Sequence, residues 1–432
     1  MLSSNEEPLI RVSPKKRPIF FLILYSLFMV DFISRVGINV IFPVIQEDLA
    51  LTDTQVGLMG SVVLLGMAIF VLPVSFLGEK HSPKKTITLS ATIWTLGTFL
   101  SGLAGSFPAL IASRFFVGMG NSAYAPLSNS MITSLYAKPF WGKKIGTYNT
   151  AMTLGGALGS IVFANIAGTL GWRIAFYTLA ALSLLPTLAS LALPDTKKLL
   201  VAQCNESDDV PTNHNPAAKV NLRDAFHVLG SNKALICVCM ASSIVSMVLQ
   251  GSMAWQSIFM VREVGLSIQT TALVLTGLAL IAAIGYPLGG FIMDKWYSKD
   301  KRCRAYLPII CLSISSVLFV IIFKFKLIPL LMVTALFTAM SNTAYHVCTQ
   351  ELVPSWFKST SYGMYALFVQ GLGSCGPLLI GVLSQNFGLI SALIIMQMFM
   401  IISILLFAYV SKLYIPAFNK ARKLEEENGV CN

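Results

Sequence analysis

The stretch Gly146-Thr-Tyr148-Asn-Thr-Ala-Met-Thr-Leu-Gly155-Gly156-Ala-Leu-Gly159 has a counterpart in Gly363-Met-Tyr365-Ala-Leu-Phe-Val-Gln370-Gly371-Leu-Gly373-Ser-Cys-Gly376. At one offset of 217, Gly146, Tyr148, Gly156 and Gly159 fall on Gly363, Tyr365, Gly373 and Gly376. Nearby offsets extend the match. A shift of 215 brings Leu51-Thr52 onto Leu266-Ser267 and Glu79-Lys80 onto Asp294-Lys295. A shift of 221 brings Asn121, Ala123 and Tyr124 onto Asn342, Ala344 and Tyr345. Self-similarity with so little drift over half a chain is the mark of two homologous halves.

Composition says what the halves are made of. Hydrophobic residues make up 55% of the 432 and charged residues 12%, about half the ~25% charged usual in soluble chains. The mean hydropathy is +0.72. These values exclude a soluble enzyme, a disordered chain and a small disulfide scaffold. A membrane-spanning helix needs about 20 mostly apolar residues. Twelve segments meet this, near 19–45, 55–78, 85–105, 108–132, 143–168, 171–193, 234–260, 268–292, 305–323, 328–350, 360–385 and 388–410. Between the sixth and seventh, Pro194 to Lys233 reads as a flexible polar linker with an amphipathic surface helix near Asn221–Leu229. The expected fold is all-α: twelve transmembrane helices in two pseudo-symmetric six-helix bundles, 19–193 and 234–410. Tails 1–18 and 411–432 and the linker 194–233 are expected to be cytoplasmic.

Charge orients the chain. Of the Lys and Arg residues, 25 lie in the tails, the linker and the other even-numbered gaps, 4 lie in the odd-numbered gaps, and Arg35 and Arg114 lie within helices. The positive-inside rule then places both termini in the cytoplasm. It also accounts for the net charge of +12 without nucleic acid. No cleavable signal is expected, because the polar N-terminus ends in Lys15, Lys16, Arg17 and Pro18. Glu6-Glu7-Pro8-Leu9-Ile10 resembles an acidic dileucine signal, which in a eukaryotic cell points to an endosomal or lysosomal membrane; otherwise the expected site is the cell (inner) membrane. The sequon Asn205-Glu-Ser207 falls in the cytoplasmic linker. The eight cysteines form no CxxC pair and no zinc-spaced cluster with His. No Walker, Gly-x-Ser-x-Gly or His-Glu-x-x-His motif occurs, so neither ATP-driven pumping nor enzyme activity is expected. No cofactor or metal is expected.

Several motifs add a resemblance. Ser75-Phe-Leu-Gly78-Glu79-Lys80-His-Ser-Pro-Lys84-Lys85 resembles the loop signature of the major facilitator superfamily, Gly-x-x-x-Asp-Arg-x-Gly-Arg-Arg, but departs from it at Ser75, Glu79, Ser82 and Pro83. Gly290-Phe-Ile-Met-Asp294-Lys295 keeps the Gly and the Asp. The resemblance implies a gating role for Glu79, Lys80, Asp294 and Lys295. The simpler reading is a topogenic charge cluster. Arg114-Phe-Phe-Val-Gly118-Met-Gly120-Asn121-Ser-Ala-Tyr124-Ala-Pro126 is similar to the fourth-helix signature of organic anion:cation symporters and spinster-like lipid transporters, with Asn121 where those families usually have Glu. Trp94 and Gly171-Trp172-Arg173 also fit the anion-symporter pattern. In helix 1, Arg35 and Pro43 fit, but the acid usual just before the Arg is absent and lies one turn earlier, at Asp31. Parallel halves and rocking about a midplane site follow from the resemblance.

The ionisable residues well inside the helices are Asp31, Arg35, Arg114 and His346. Such residues are costly in a bilayer and usually functional. Asp31 and Arg35 stand at i,i+4 and share a helix face with Asn39. In the family fold, helices 1, 4, 7 and 10 line the cavity. Arg35 and Arg114 would then offer planar forks for a carboxylate or phosphate. The competing reading leaves Asp31 neutralising Arg35 and Arg114 bracing helices. Asn39, Asn121, Tyr124, Gln250, Trp255, Asn342 and Tyr345 are candidates to read the rest of the substrate. Many such polar groups instead bond between helices. Asp31 and His346 are the candidate proton carriers. The expected function is secondary transport of a small organic anion, such as a sugar acid, carboxylate or amino acid-like solute, coupled to H+ and carried out by a monomer in the bilayer. A spinster-like carrier of lipid or amphipathic solute and a transporter-like sensor are the alternatives.

Overall fold

The computed structural model describes residue 13 and residues 15–122, 124–136, 138–195, 230, 232–354 and 358–427. The dileucine-like stretch, the sequon and the linker helix near 221–229 lie outside them. The described elements are helices: α1 (Arg17–Val40), α2 (Phe42–Asp48), α3 (Asp53–Lys80), α4 (Pro83–Leu103), α5 (Phe107–Asn121), α6 (Tyr124–Leu135), α7 (Lys138–Leu170), α8 (Trp172–Ser190), α9 (Lys233–Ile258), α10 (Ile268–Tyr297), α11 (Cys303–Phe325), α12 (Leu330–Glu351), α13 (Lys358–Gly373), α14 (Cys375–Phe387) and α15 (Leu389–Glu427), with a π-turn over Phe259–Glu263.

Ten of the described helical segments are long and apolar enough to cross a bilayer. The fourth expected span is divided between α5 and α6. The tenth, α12, carries Thr334, Thr338, Ser341, Asn342, Thr343, His346 and Thr349 and is correspondingly more polar. Large apolar side chains such as Leu185 (72%), Phe291 (67%) and Leu405 (64%) stand exposed. Lipid, rather than water, is the solvent that stabilises such a surface.

Prolines set the interruptions. Proline has no N–H to give the carbonyl four residues earlier. Pro43, Pro126 and Pro377 therefore release the carbonyls of Asn39, Ser122 and Gly373, and the chain breaks at Ile41, Ser122 and Ser374. Helices 1, 4 and 11, expected as continuous, are each two pieces for this reason. The last helix differs the other way. It continues to Glu427, with Tyr414, Phe418 and Ala421 buried along one face. Much of the stretch expected as a C-terminal tail is thus helical.

Packing divides the chain into two compact units, Met1–Pro211 with Met260–Thr276, and Thr212–Phe259 with Gly277–Asn432. Residues 260–276, expected in the second bundle, belong to the first unit. There Ala272 joins a core cluster with Val40 and Ala164. Arg262 grips Asp53 with two bonds of 3.0 and 3.1 Å. Within the first unit, α4 meets α8 through hydroxyls: Thr95 with Thr187 at 3.1 Å, and Ser190 with Thr88 at 2.9 Å. In the second unit, α9 packs on α13, α14 and α15, and α11 on α12 and α15.

The repeat seen in the letters recurs in backbone geometry. Gly171 opens α8 at φ 91°, ψ 157°, and Gly388, 217 residues on, opens α15 at φ 80°, ψ 156°. Ala50 has φ 47° and Gly265 φ 79°, each just before the Leu-Thr or Leu-Ser pair. Thr52 then caps α3 by accepting from the Gln55 N–H, as Ser267 accepts from Thr270 near the start of α10. A β-carbon on Gly159 would meet the Ile33 carbonyl oxygen at 2.5 Å, and one on Gly376 would strike the Met247 carbonyl. Both glycines let two helices approach backbone to backbone.

Candidate substrate site

In the first unit the polar chemistry lies within helices. Asp31 on α1 is fully buried. Arg35, one turn on, donates from Nε to its Oδ1 at 3.3 Å and brings Nη2 within 3.0 Å of Oδ2. The Arg35 side chain remains 21% exposed and its guanidinium lies 5.0 Å from the Phe32 ring. Aromatic rings pack this stretch: Phe28 stacks on Tyr148 at 4.5 Å, and the Tyr148 hydroxyl donates to the Tyr124 carbonyl at 3.5 Å. Asn39 lies half-buried further along α1.

Arg114 is placed differently. Its side chain is 3% exposed and sits over Phe176 at 5.9 Å. No carboxylate among the described residues pairs with it, and Nη1 has no hydrogen-bond partner. Of the other groups of α4, α5 and α6 in this condition, three are large and deeply buried: the Trp94 indole N–H, both amide atoms of Asn121 and the Tyr124 hydroxyl. All are 2% exposed or less. Trp94 and Tyr124 meet edge to face at 6.0 Å. An unsatisfied buried polar group costs about 1–3 kcal/mol, and more when charged. The first unit therefore holds a guanidinium, an amide, an indole and a phenol whose hydrogen bonds are unmade. Trp94 was not among the expected site residues. Its signal was a Trp in an apolar helix, where an indole N–H needs a partner.

The second unit bonds its buried indole and buried phenols internally, although Ser242 Oγ, Ser315 Oγ and Gln397 Oε1 have no partner among the described residues. Trp255 is 1% exposed and donates to the Pro377 carbonyl at 2.9 Å. Tyr345 donates to Ser341 Oγ at 2.6 Å and stacks on Phe407 at 5.3 Å. His346 meets Tyr365 edge to face at 5.2 Å. Gln250 and Asn342 are half-buried on α9 and α12.

Charged groups of this unit meet where α10 ends, α11 begins and α12 ends. Arg304 gives a two-pronged bond to Glu351, at 3.2 and 3.1 Å, and reaches Asp294 at 3.5 Å. It also lies 4.5 Å from the Tyr297 ring. The Tyr414 hydroxyl donates to Glu351. Of the expected gating residues, Asp294 joins this network and Lys295 is exposed. The side chains of Glu79 and Lys80 lie outside what the structure describes. Arg304, Glu351 and Tyr414 were not foreseen. Glu351 offered a clue, since an acid at a helix C-terminus opposes the helix dipole and needs a cation nearby.

Outside the spans, Asp48 accepts from Trp172 Nε1 at 3.0 Å and from Arg173 at 2.8 Å. These two donors, Trp172 first, hold the Asp48 carboxyl below its usual 3.8.

Comparisons with known proteins agree with this architecture. The chain is 24% identical over 388 residues to a hexuronate transporter of Bacillus subtilis (strain 168), covering 88% of this chain and 90% of that protein. It is 27% identical over 295 residues to a probable sulfoacetate transporter, SauU, of Cupriavidus necator, covering 67% and 68%. A solved bacterial homolog of the human lysosomal transporter Spinster, inward-facing and unoccupied, shares the fold with TM-score 0.82 and 21% identity over 94% of this chain and 99% of that one. The model of the Major Facilitator Superfamily matches residues 24–375 and 238–428. With two repeated units of membrane helices and that match over nearly its whole length, the chain belongs to the Major Facilitator Superfamily and is a membrane transporter, not an enzyme.

Proposed function

We propose that the protein carries a small organic anion, of the sugar acid, carboxylate or amino acid-like class, by alternating access, in a membrane that leaves both termini cytoplasmic. One observation carries this reading: Arg114 is a buried guanidinium with no acceptor among the described residues, whereas Arg35 already has Asp31. A planar fork in a dry site favours a carboxylate, sulfonate or phosphate. Trp94, Asn121 and Tyr124 supply neutral donors for the rest of the solute. The transporters of hexuronate and sulfoacetate named above handle anions, which supports the same class here.

Asp31 supplies the coupling. Protonating it frees Arg35 for the anion; deprotonation restores the pair and favours release. Asp31→Asn is expected to keep exchange between two loaded sides and to lose accumulation driven by a pH gradient. Concentration of solute by that variant under a proton gradient would overturn the coupling.

The second reading, a lipid-like solute, draws on the spinster-like fold and on an apolar groove lined by Val62, Phe107, Ile111, Phe115 and Phe116. Melting of the purified protein with organic anions, neutral sugars and lysolipids separates the two. A ligand at one hundred times its Kd adds about 2.7 kcal/mol of stability. Anions are expected to stabilise the wild type and not Arg114→Leu. Stabilisation by lysolipids alone, retained in Arg114→Leu, would put the second reading first.

A further inference from the structure

In the second unit, α15 outruns the bilayer. At 1.5 Å per residue, α15 crosses a ~30 Å hydrocarbon core in about 20 residues and the full ~45 Å with headgroups in about 30. Its surface agrees with that count. Met398, Ile401, Ile402, Leu405 and Tyr409 are its large exposed apolar side chains, and Tyr409 is the last of them. Beyond it the exposed residues include Lys412, Lys420, Arg422 and Lys423. Phe418 therefore sits at headgroup level.

Two cations from separate elements converge there. Lys301, exposed between α10 and α11, places Nζ 4.8 Å from the Phe418 ring centre. Arg422 places its guanidinium carbon 5.1 Å from the same centre. Neither forms an ion pair among the described residues. A shared aromatic platform holds each cation by about 0.5–1 kcal/mol at exposed sites, but it does not cancel their mutual repulsion. An anion between them does. Lys299 and Arg302 are exposed on the same loop.

We propose that Lys301 and Arg422 form a binding site for the phosphate of an anionic phospholipid, with Phe418 as its floor. Its place in the unit gives it leverage. Phe418 stacks with Tyr414 at 6.2 Å, and Tyr414 holds Glu351, the partner of Arg304. A lipid that fixes Lys301 and Arg422 therefore also fixes the end of α15 against the charge network.

The test is the melting temperature of the purified full chain in neutral-detergent micelles. Phosphatidylglycerol, phosphatidylcholine and inorganic phosphate are added in separate arms. Phosphatidylglycerol is expected to raise the melting point by several degrees over phosphatidylcholine. The double variant Lys301→Gln/Arg422→Gln is expected to lose that gain. Lys84→Gln/Lys85→Gln, which removes as much charge from the other unit, is expected to keep it. The charge-keeping variant Lys301→Arg/Arg422→Lys should retain the gain, which guards against loss through misfolding. A gain that survives in the double variant, or falls equally in the Lys84/Lys85 control, overturns the site. A full gain from inorganic phosphate, with nothing added by phosphatidylglycerol, overturns the lipid as its ligand.

Discussion

The two units carry the same repeat in sequence and differ in how they treat their buried tryptophans, tyrosines and arginines. The second bonds its indole and buried phenols to its own backbone and side chains, and Asp294, Glu351 and Arg304 meet in one network. The first leaves a guanidinium, an amide, an indole and a phenol buried without hydrogen-bond partners among the described residues. A unit made for stability alone would not do this, because each such group could be replaced by an apolar one at a gain. Recognition is therefore sought in the unit whose buried guanidinium lacks an acceptor among the described residues, and not in the one whose buried guanidinium is already paired.

Removal of Arg304 and of Arg114 is expected to change stability with opposite signs. Arg304→Leu strands Glu351 and is expected to destabilise the protein by about 3–5 kcal/mol, read as a fall in melting temperature without ligand. Its effect on ligand affinity should be small. Arg114→Leu is expected to do the reverse: raise the melting point of the unliganded protein, by about 1–3 kcal/mol, and abolish the response to anions. A drop in unliganded stability for Arg114→Leu comparable to that for Arg304→Leu would mean that the two arginines play the same bracing role.

Smaller effects probe the repeat itself. Ala50 and Gly265 occupy matching corners at positive φ, where a side chain costs about 1–2 kcal/mol. Ala50→Gly should therefore stabilise and Gly265→Ala destabilise, by about 1 kcal/mol each. Opposite signs in a paired melting experiment support equivalent corners, and equal signs refute it. The least effect is expected at Asp48, which is exposed and whose lowered pKa reflects Trp172 and Arg173. A depressed carboxyl contributes its stability above the unfolded value of 3.8 and loses it as pH falls through the folded one. The melting difference between wild type and Asp48→Asn should be constant near neutrality and shrink in acid.

Periodic apolar length made the spans legible, and the repeated Gly-Tyr-Gly spacing made the halves legible. The structure returns that repeat as matched dihedral angles at Gly171 and Gly388. The breaks in helices 1, 4 and 11 were also present in the letters, as Pro43, Pro126 and Pro377, but were overridden by the length of the apolar runs. The site was less legible. Asp31 and Arg35 declare themselves by spacing, since i,i+4 is a contact in any helix. Arg304 with Glu351 does not: 47 residues separate them, and nothing local links the two. Nor does spacing tell the satisfied Trp255 from the unsatisfied Trp94. Helices that are apolar on all sides carry no moment to say which face meets a neighbour.

The pairing of Asp31 with Arg35 inside a single helix also bears on biogenesis. When α1 leaves the ribosome, none of the other described helices has yet been made to receive its charges. Because both partners ride one turn apart on the same segment, α1 brings its own counter-ion to the translocon and enters the lipid nearly neutral. Arg114 has no such companion on α5. The ring it lies over, Phe176 of α8, is synthesised after α5, so this bare cation reaches the bilayer before its surroundings are complete.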